Sequence, residues 1–335
     1  MKKISIAMTT YNGEKYIEKQ LTSILNQLRK VDEVVICDDS SSDNTVPIVR
    51  NFIQENKLSS AWRINVNETN LGVNKNFFKC ISMCTGNVLV MCDQDDIWKE
   101  NYILEVEKIF ESGADVKVLN VSYDYINNDD NVFEIKKRKG TVNNNLIPVS
   151  ISPGELRKIS FDLIVNKNIS PGMTMSFDSE IKELYLKDSQ NRFVHDWEIN
   201  CLGGLKKGLF FYNMRLVKYR IHSSNACGIG DALNSNNAWN RFRNKVNDWA
   251  DYIAQLKSRV EVLNAAYLYN DQDISEKIFI ERFYKFVEYR EKVVYKRSFL
   301  AWLKEIFYLL FLLPKTVDYR GCIIDFIYLA GLKKL

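Results

Sequence analysis

The chain has 335 residues, which is long enough for one large domain or for a catalytic domain with an appendage. Hydrophobic residues make up 46% and charged residues 26%, and these ordinary values exclude a disordered chain and a polytopic membrane protein. The formal net charge of +4 is concentrated in the tail, because residues 275–335 contain 12 lysines and arginines against 7 aspartates and glutamates.

The first 115 residues alternate short apolar runs with amphipathic segments. We predict strands over residues 4–8, 33–37, 62–66 and 87–92, and helices over 14–28, 43–56 and 74–84. This alternation is typical of a parallel sheet covered by helices. Residues 127–147 are rich in Asn, Asp and Lys without apolar periodicity, which predicts a mobile loop. Beyond residue 236 the sequence is helical, aromatic and basic, so we place a domain boundary near residue 230.

Three polar clusters follow predicted strands, at Thr10–Gly13, Asp38–Asp43 and Asp93–Asp96. Ligands of parallel sheets bind outside the carboxyl ends of the strands, so the three clusters should line one crevice. Acids cannot continue a buried strand, so the cluster at Asp93–Asp96 either faces solvent in a turn or faces a cation and a polar ligand. Asp43 can also be read as a helix cap.

The cysteines favour a reduced, cytosolic compartment. There are seven of them, without a Cys-x-x-Cys pair, and two lie inside apolar strand-like runs. The apolar stretch at the N-terminus ends within about five residues, which is too short for the hydrophobic region of a signal peptide.

Six motifs occur in order along the chain: Thr9–Gly13, Asp38–Thr45, Asn70–Gly72, Asp93–Trp98, His195–Trp197 and Tyr219–His222. In this order and approximate spacing the chain resembles family 2 glycosyltransferases of the GT-A fold, and within them the bacterial rhamnosyltransferase-like branch. The resemblance covers about residues 1–230. It implies an α/β GT-A nucleotide-sugar-binding fold with a mostly parallel central sheet flanked by helices. The catalytic domain would be residues 1–230, followed by a C-terminal helical extension over 231–335.

The resemblance implies a metal site. A departing diphosphate is stabilised by a hard divalent cation with oxygen ligands, and Mg²⁺ and Mn²⁺ both fit that chemistry. Asp95 is the expected metal ligand, while Asp93 would face the ribose side of the nucleoside. His222 is expected to add a metal or diphosphate contact, and the alternative is a histidine satisfied by backbone hydrogen bonds.

The resemblance also implies a catalytic base. Inverting displacement at the anomeric carbon requires a base that takes the proton from the acceptor hydroxyl. Asp196 lies where the family places its catalytic aspartate, and the neighbouring Trp197 could raise its pKa by reducing solvation. In the alternative interpretation Asp196 is the N-cap of a helix.

Further residues match the donor-binding segments of the family. The nucleoside pocket would be formed by Thr10, Tyr11, Asn12, Glu14 and Asp39. Lys75 would contact the diphosphate, or else be an exposed helix lysine. Gly172 and Thr174 would lie near the donor sugar and the acceptor, where glycine allows close approach. Arg220 would pair with a phosphate or with a structural carboxylate.

The tail contains two apolar stretches. Residues 299–313 hold 13 apolar positions of 15, interrupted by Lys304 and Glu305, and this stretch is too short to span a bilayer. A second stretch over 322–332 contains Asp325 and ends in two lysines. Both favour interfacial helices with peripheral membrane contact. The alternative is a helical hairpin packed on the catalytic domain or on a second subunit.

Together these features predict an inverting, metal-dependent glycosyltransferase at the cytoplasmic, inner face of the cell membrane. Rhamnose from dTDP-rhamnose is the expected donor by resemblance, with a UDP-hexose as the alternative. The expected acceptor is a lipid-linked cell-surface glycan, and no nucleic-acid partner is expected. The sequence leaves open whether the protein forms an oligomer. A non-catalytic sugar-nucleotide-binding partner is a further alternative. A nucleotidyltransferase is disfavoured because the first strand lacks a following Gly-rich, Arg-containing loop.

Overall fold

The computed structural model describes residues 2–135, 149–164, 168–188, 194–222, 248–268, 274–313 and 321–330. These belong to two compact units. The first unit comprises Met1–Ser160, Asn168–Lys187 and Val194–Ala226, and the second comprises Phe161–Lys167, Asp188–Phe193 and Cys227–Leu335. The predicted boundary near residue 230 and most of the predicted loop over 127–147 lie outside the described residues. The division into a catalytic domain and an extension stays a prediction.

The first unit contains a mixed sheet and its flanking helices. The strands are β1 (Ile4–Thr10), β2 (Glu33–Asp38), β3 (Trp62–Val66), β4 (Val88–Cys92), β5 (Ile97–Trp98), β6 (Val118–Ile126), β7 (Val132–Phe133), β8 (Leu156–Lys158), β9 (Met175–Asp178) and β10 (Leu209–Arg220). The helices are α1 (Ile17–Leu25), α2 (Thr45–Glu55), α3 (Val73–Met83), α4 (Tyr102–Glu111), α6 (Ser179–Asp188) and α7 (His195–Leu205), with a 3₁₀ turn at Gly172–Thr174.

The sheet has the strand order β3-β2-β1-β4-β9-β6-β10-β5, with β7 beside β6 and β8 beside β10. Strands β1 to β4 pair in parallel, and so do β6 and β10. Because β9 is antiparallel to both β4 and β6, all six of these strands run in one direction. The predicted α/β class is confirmed.

The strand ends meet at one edge because the strands share a register. Thr10 of β1 pairs with Asp38 of β2, and Met8 of β1 pairs with Cys92 of β4. Every residue of β2 and β4 is buried, as expected for strands covered on both faces. The apolar runs end where acids begin, so the acids following β2 and β4 lie at the same edge, on either side of the end of β1.

The predicted loop over 127–147 is ordered in its described first part. The side chain of Asn127 accepts hydrogen bonds from the backbone N–H groups of Asp129 and Asn131, which closes a tight turn. Strand β7 then pairs with the end of β6. The prediction holds for the turn at 127–131 and is wrong for Val132 and Phe133, which pair as a short strand.

The described residues of the second unit form helices. They are α5 (Phe161–Ile164), α8 (Trp249–Leu268), α9 (Ile274–Lys296), α10 (Phe299–Phe307), a π-helical turn (Tyr308–Leu312) and α11 (Gly321–Leu329). Trp249, Ile253, Val294, Ile324 and Tyr328 form a buried core of this unit. Within the described ranges, no helix has the length and apolarity that crossing a membrane requires.

A buried ionic cluster ties four of these helices together. The guanidinium of Arg290 donates to the carboxylate of Glu305 at 2.8 and 3.0 Å and lies 2.9 Å from that of Asp325. The indole of Trp249 donates to Asp325 at 2.6 Å. A Cβ at Gly321 would lie 2.5 Å from Arg290, so glycine is required there. Burial holds the pKa of Asp325 well above its usual range, although Arg290 opposes the shift.

Replacing Arg290 by Met should destabilise the protein by about 3–5 kcal/mol, because two buried carboxyl groups would lose their cation. The free energy of unfolding can be measured by urea denaturation. Lys257→Met is the matched control, since Lys257 pairs with Glu291 at a partly exposed site, and it should cost at most about 1 kcal/mol. Equal stability of the two variants would contradict the structural role of the cluster.

Candidate active site

The predicted metal ligands Asp95 and His222 lie together at the shared edge. Asp95 follows β4, His222 follows β10, and the imidazole Nε2 of His222 is 2.8 Å from the Asp95 carboxylate. Both side chains are largely buried. The two residues are 127 positions apart in the chain, and the common direction of β4 and β10 brings them together.

Asp93 lies close to two other carboxylates. Burial first, and then the negative charges of Asp95 and Asp196, raise the pKa of Asp93 to about 7. No lysine or arginine side chain among the described residues pairs with the carboxylate of Asp93 or Asp95. Clustered acid oxygens with one imidazole nitrogen and no compensating cation could hold a hard divalent ion.

Asp96 has a structural place in the same turn. Its side chain is fully buried, and one oxygen accepts the backbone N–H of Arg220 at 2.9 Å. Burial holds the pKa of this carboxyl well above its usual range. Asp96 therefore joins the turn after β4 to the end of β10, and this junction places Asp95 beside His222.

Arg220 makes structural contacts in this structure, and its predicted role in binding the nucleotide sugar stays a prediction. Its side chain is fully buried, and its guanidinium donates to the backbone carbonyls of Asp95 and Asn127 at 2.7 and 2.8 Å. It also forms an ion pair with Asp130. The ion pair with Asp130 matches the alternative of a structural carboxylate, and a phosphate contact of Arg220 stays a prediction.

The catalytic base predicted from the motifs, Asp196, lies in the first turn of α7. Its carboxylate accepts the backbone N–H of Trp197 at 2.6 Å, and it also accepts hydrogen bonds from the Asn168 side chain and from Gly172 N–H. Burial nevertheless raises the pKa of Asp196 to about 6. The N-cap alternative is wrong, since Val194 holds the N-cap position and Asp196 is inside the helix.

Gly172 makes close contact with this acid. A Cβ at this position would lie 3.1 Å from the imidazole Nε2 of His195 and 3.5 Å from the Cβ of Asp196. Burial lowers the pKa of His195 to about 3, so the imidazole is neutral at pH 7, and it lies 3.1 Å from the Asn74 side-chain oxygen. A side chain at position 172 would therefore crowd His195 and Asp196, while the close approach of Gly172 to a ligand stays a prediction.

Thr174 shapes the turn next to Asp196. Its hydroxyl donates to the carbonyl of Pro171 at 2.8 Å and lies 2.6 Å from the hydroxyl of Ser170. The Thr174 side chain is fully buried. These hydrogen bonds fix the shape of the turn, and the turn places Gly172 next to Asp196.

Two predicted nucleoside residues have buried side chains bound by neighbours. The hydroxyl of Thr10 donates to Asp38 at 2.7 Å. Asp39 accepts the backbone N–H groups of Leu71 and Gly72 at 2.7 and 2.9 Å, and so it organises the loop before α3. Neither side chain is open to solvent in this structure.

Glu14 and Asn12 connect the loop after β1 to the segment before α2. The Glu14 carboxylate accepts the backbone and side-chain N–H groups of Asn44 at 2.9 and 2.8 Å. The side-chain oxygen of Asn12 accepts the backbone N–H of Ser42 at 2.9 Å. Asp43 accepts the backbone N–H of Thr45 at 3.0 Å, so it supports the start of α2 although the N-cap position is Asn44.

Tyr11 and Lys75 are exposed members of the predicted donor site, as are Asn12 and Glu14. The Tyr11 side chain is 49% exposed, while its backbone exchanges two hydrogen bonds of 2.9 Å with the Gln94 amide. Lys75 is exposed on α3, one residue after Asn74, which contacts His195. Both side chains are therefore accessible to a ligand.

Sequence reasoning missed Tyr16, Asn74 and Asn168. The ring of Tyr16 stacks on the His222 imidazole with centroids 5.1 Å apart, and the Arg220 guanidinium lies 4.6 Å from its centroid. Each of the three residues lies within a few positions of a motif or of the turn at Gly172. That proximity was the available signal, but residue type alone did not separate them from ordinary loop residues.

The comparisons with known proteins agree with this geometry. The model described as glycosyl transferase family 2 matches residues 5–175, which is just over half of the chain. The chain therefore belongs to glycosyl transferase family 2, and the resemblance drawn from the six motifs is confirmed.

A crystal structure of TarS residues 1–349 from S. aureus, in complex with UDP-GlcNAc, superposes with a TM-score of 0.54. The two chains are 17% identical, and the match covers 92% of this chain and 79% of TarS 1–349. At this identity the likeness concerns the fold alone. Together with the family match, it confirms the predicted GT-A fold.

Two curated relatives carry donor names. The dTDP-rhamnosyl transferase RfbG of Shigella flexneri is 39% identical over 103 residues, covering 29% of this chain and 34% of RfbG. WfgD of Escherichia coli, a UDP-Glc:alpha-D-GlcNAc-diphosphoundecaprenol beta-1,3-glucosyltransferase, is 30% identical over 126 residues, covering 38% of this chain and 47% of WfgD. The chain spans less than half the length of the curated relatives it matches.

Proposed function

We propose that this protein is an inverting, metal-dependent glycosyltransferase that moves a sugar from a nucleotide sugar to a hydroxyl of a growing cell-surface glycan. One observation carries this proposal: Asp93, Asp95 and Asp196 lie close together at one edge of the sheet. Burial, and then the negative charges of Asp95 and Asp196, raise the pKa of Asp93. Family membership supports sugar transfer as the reaction.

Asp196 is the proposed base. With a pKa raised to about 6 by burial, its carboxylate is largely ionised at pH 7 and can take a proton from the acceptor hydroxyl. The hydrogen bonds from Trp197 N–H, Gly172 N–H and Asn168 fix its orientation. Gly172 would let the acceptor and the donor sugar approach this carboxylate closely.

Asp95 and His222 are the proposed ligands of Mg²⁺ or Mn²⁺. When bound, such an ion stabilises the negative charge that develops on the leaving diphosphate. Tyr16, stacked on the imidazole, and Asp96, bonded to Arg220 N–H, keep this pair of ligands in position. Asp93 is proposed to face the ribose.

The proposed nucleoside and diphosphate contacts are the exposed Tyr11 and Lys75. The Tyr11 ring offers a flat surface on which a base can stack, and Lys75 offers a cation to the phosphates. Thr10, Asn12, Glu14 and Asp39 would act mainly by shaping the pocket, since their side chains bond to neighbouring residues.

The proposed donor is dTDP-rhamnose, supported by the name of the Shigella flexneri relative. The second candidate is a UDP-hexose, supported by the name of the Escherichia coli relative. That name also supports a lipid-linked acceptor, and hence a cytoplasmic location at the inner face of the cell membrane. Residues 231–335 would supply the membrane contact.

A panel of dTDP- and UDP-sugars, screened by thermal shift with and without Mn²⁺, tests the donor. The true donor should raise the melting temperature, and more so with Mn²⁺, because saturation at about 100 times Kd stabilises the folded state by about 2.7 kcal/mol. GDP-mannose serves as the control nucleotide sugar. If no member of the panel changes the melting temperature under either condition, the proposal fails.

A further inference from the structure

The second unit exposes a group of large apolar side chains along consecutive helical turns. We call this group the apolar ridge; its members are Phe299, Leu300, Leu303, Phe307, Leu310 and Phe311 from α10 and the π-helical turn, and Ile323 and Phe326 from α11. Leu310 and Phe311 are 69% and 71% exposed. Intervals of three and four residues place the members from α10 and the π-helical turn on one helical face.

Such a surface is unusual for a helix that packs on a protein core. An amphipathic helix normally buries its apolar face, whereas α10 buries Ala301 and Glu305 and exposes four large apolar residues, with Trp302 and Ile306 half-buried. Contiguous exposed apolar side chains mark sites of interaction with proteins or membranes. The apolar ridge therefore needs a partner outside the described part of the chain.

The exposed charges on α10 and on the turn that leads into it are cations. Lys296, Arg297 and Lys304 are exposed beside the apolar ridge. The acids within 292–313 and 321–330 are Glu305 and Asp325, and both are fully buried against Arg290. The buried ionic cluster thus removes the acids of α10 and α11 from their exposed faces, which carry apolar side chains and, on α10, a cation.

We infer that the apolar ridge binds an anionic lipid bilayer. Apolar side chains would enter the boundary between headgroups and acyl chains, while the three cations would contact anionic headgroups. If two copies met through the apolar ridge, their exposed cations would face and repel one another. This repulsion disfavours a second copy as the partner of the ridge. The inference deepens the proposed function, because it rests on the same membrane location and names the surface and the class of lipid.

Cosedimentation of the full chain with vesicles tests this inference. We expect strong binding to phosphatidylcholine vesicles containing about one third phosphatidylglycerol, weaker binding to phosphatidylcholine alone, and loss of the difference at high salt. The double substitution Leu310→Glu and Phe311→Glu should lower binding by about tenfold or more. Lys296→Glu with Arg297→Glu should remove chiefly the preference for anionic vesicles.

The control is Leu28→Glu, which changes a side chain of similar exposure, 64%, in the first unit and should leave vesicle binding unchanged. Circular dichroism checks that each variant stays folded. Equal vesicle binding by the parent and the Leu310→Glu, Phe311→Glu variant would overturn the inference. The inference would also be overturned if the unmodified protein dimerised through this surface and did not bind vesicles. Vesicle binding needs no donor, so its failure is distinct from failure of the donor screen.

Discussion

Substitution of Asp196 by Asn should lower kcat by about 10²–10⁴-fold while the affinity for the nucleotide sugar stays close to that of the parent. The amide keeps the size of the carboxyl group, and its oxygen can still accept the backbone N–H of Trp197. It cannot take a proton from the acceptor hydroxyl. Steady-state kinetics give kcat, and calorimetry gives the Kd of the donor.

Asp178→Asn is the matched control for this substitution. Burial also raises the pKa of Asp178, but this residue ends β9, which runs against the six strands that lead to the site. It accepts the backbone N–H of Ile181 at the start of α6. We expect near-normal kcat for this variant. Near-normal turnover in Asp196→Asn would instead exclude Asp196 as the base.

The pH profile gives an independent measure of the same group. The carboxylate is the active form of a base, so kcat should fall as the pH drops through about 6, the raised pKa of Asp196, and level off above it. Removing the hydrogen bond from Asn168 by Asn168→Ala should destabilise the carboxylate and move this fall to higher pH. If Asn168→Ala only perturbed the structure, kcat would be lower at every pH and the pH at which it falls would not change.

The sheet and its functional edge could be predicted from the sequence. Apolar runs that end in Thr10, Asp38 and Asp93 identify parallel strands with polar carboxyl ends, and parallel register then requires that these ends meet. Asp95 and His222 were predicted together as metal ligands, and the structure brings them to 2.8 Å. The meeting of the strand ends could be predicted because it depends on strand direction alone, whereas the metal-binding role of Asp95 and His222 came from the resemblance and stays a prediction.

The state of individual side chains could not be predicted in this way. Arg220 and Asp39 belong to the matched motifs, yet both are buried and bound by protein groups. Their partners, Asn127 and the loop at Leu71, come from distant segments, and no local pattern reports such contacts. The same reason explains why Glu305 and Asp325 appeared to interrupt apolar stretches, although both are paired internally with Arg290.

Substitution of Asp95 by Ala should abolish the response of donor binding to Mn²⁺ or Mg²⁺. If Asp95 and His222 hold the ion, the parent should bind the nucleotide sugar more tightly with metal than without it, because the ion contacts the diphosphate. The variant should bind it equally with and without metal. Calorimetric titration of the donor, with added Mn²⁺ or with EDTA, measures both affinities.

Asp96→Asn separates a metal ligand from its structural neighbour. Asp96 points at the backbone N–H of Arg220 rather than at His222, and an amide oxygen can accept the same hydrogen bond. This variant should keep the metal response, while His222→Ala should reduce it because His222 lies 2.8 Å from Asp95. If Asp95→Ala responds to metal like the parent, or if Asp96→Asn loses the response, the ion is held by residues other than this pair. Any effect of metal on donor binding would then have to arise at the predicted diphosphate side of the site, where Lys75 is exposed.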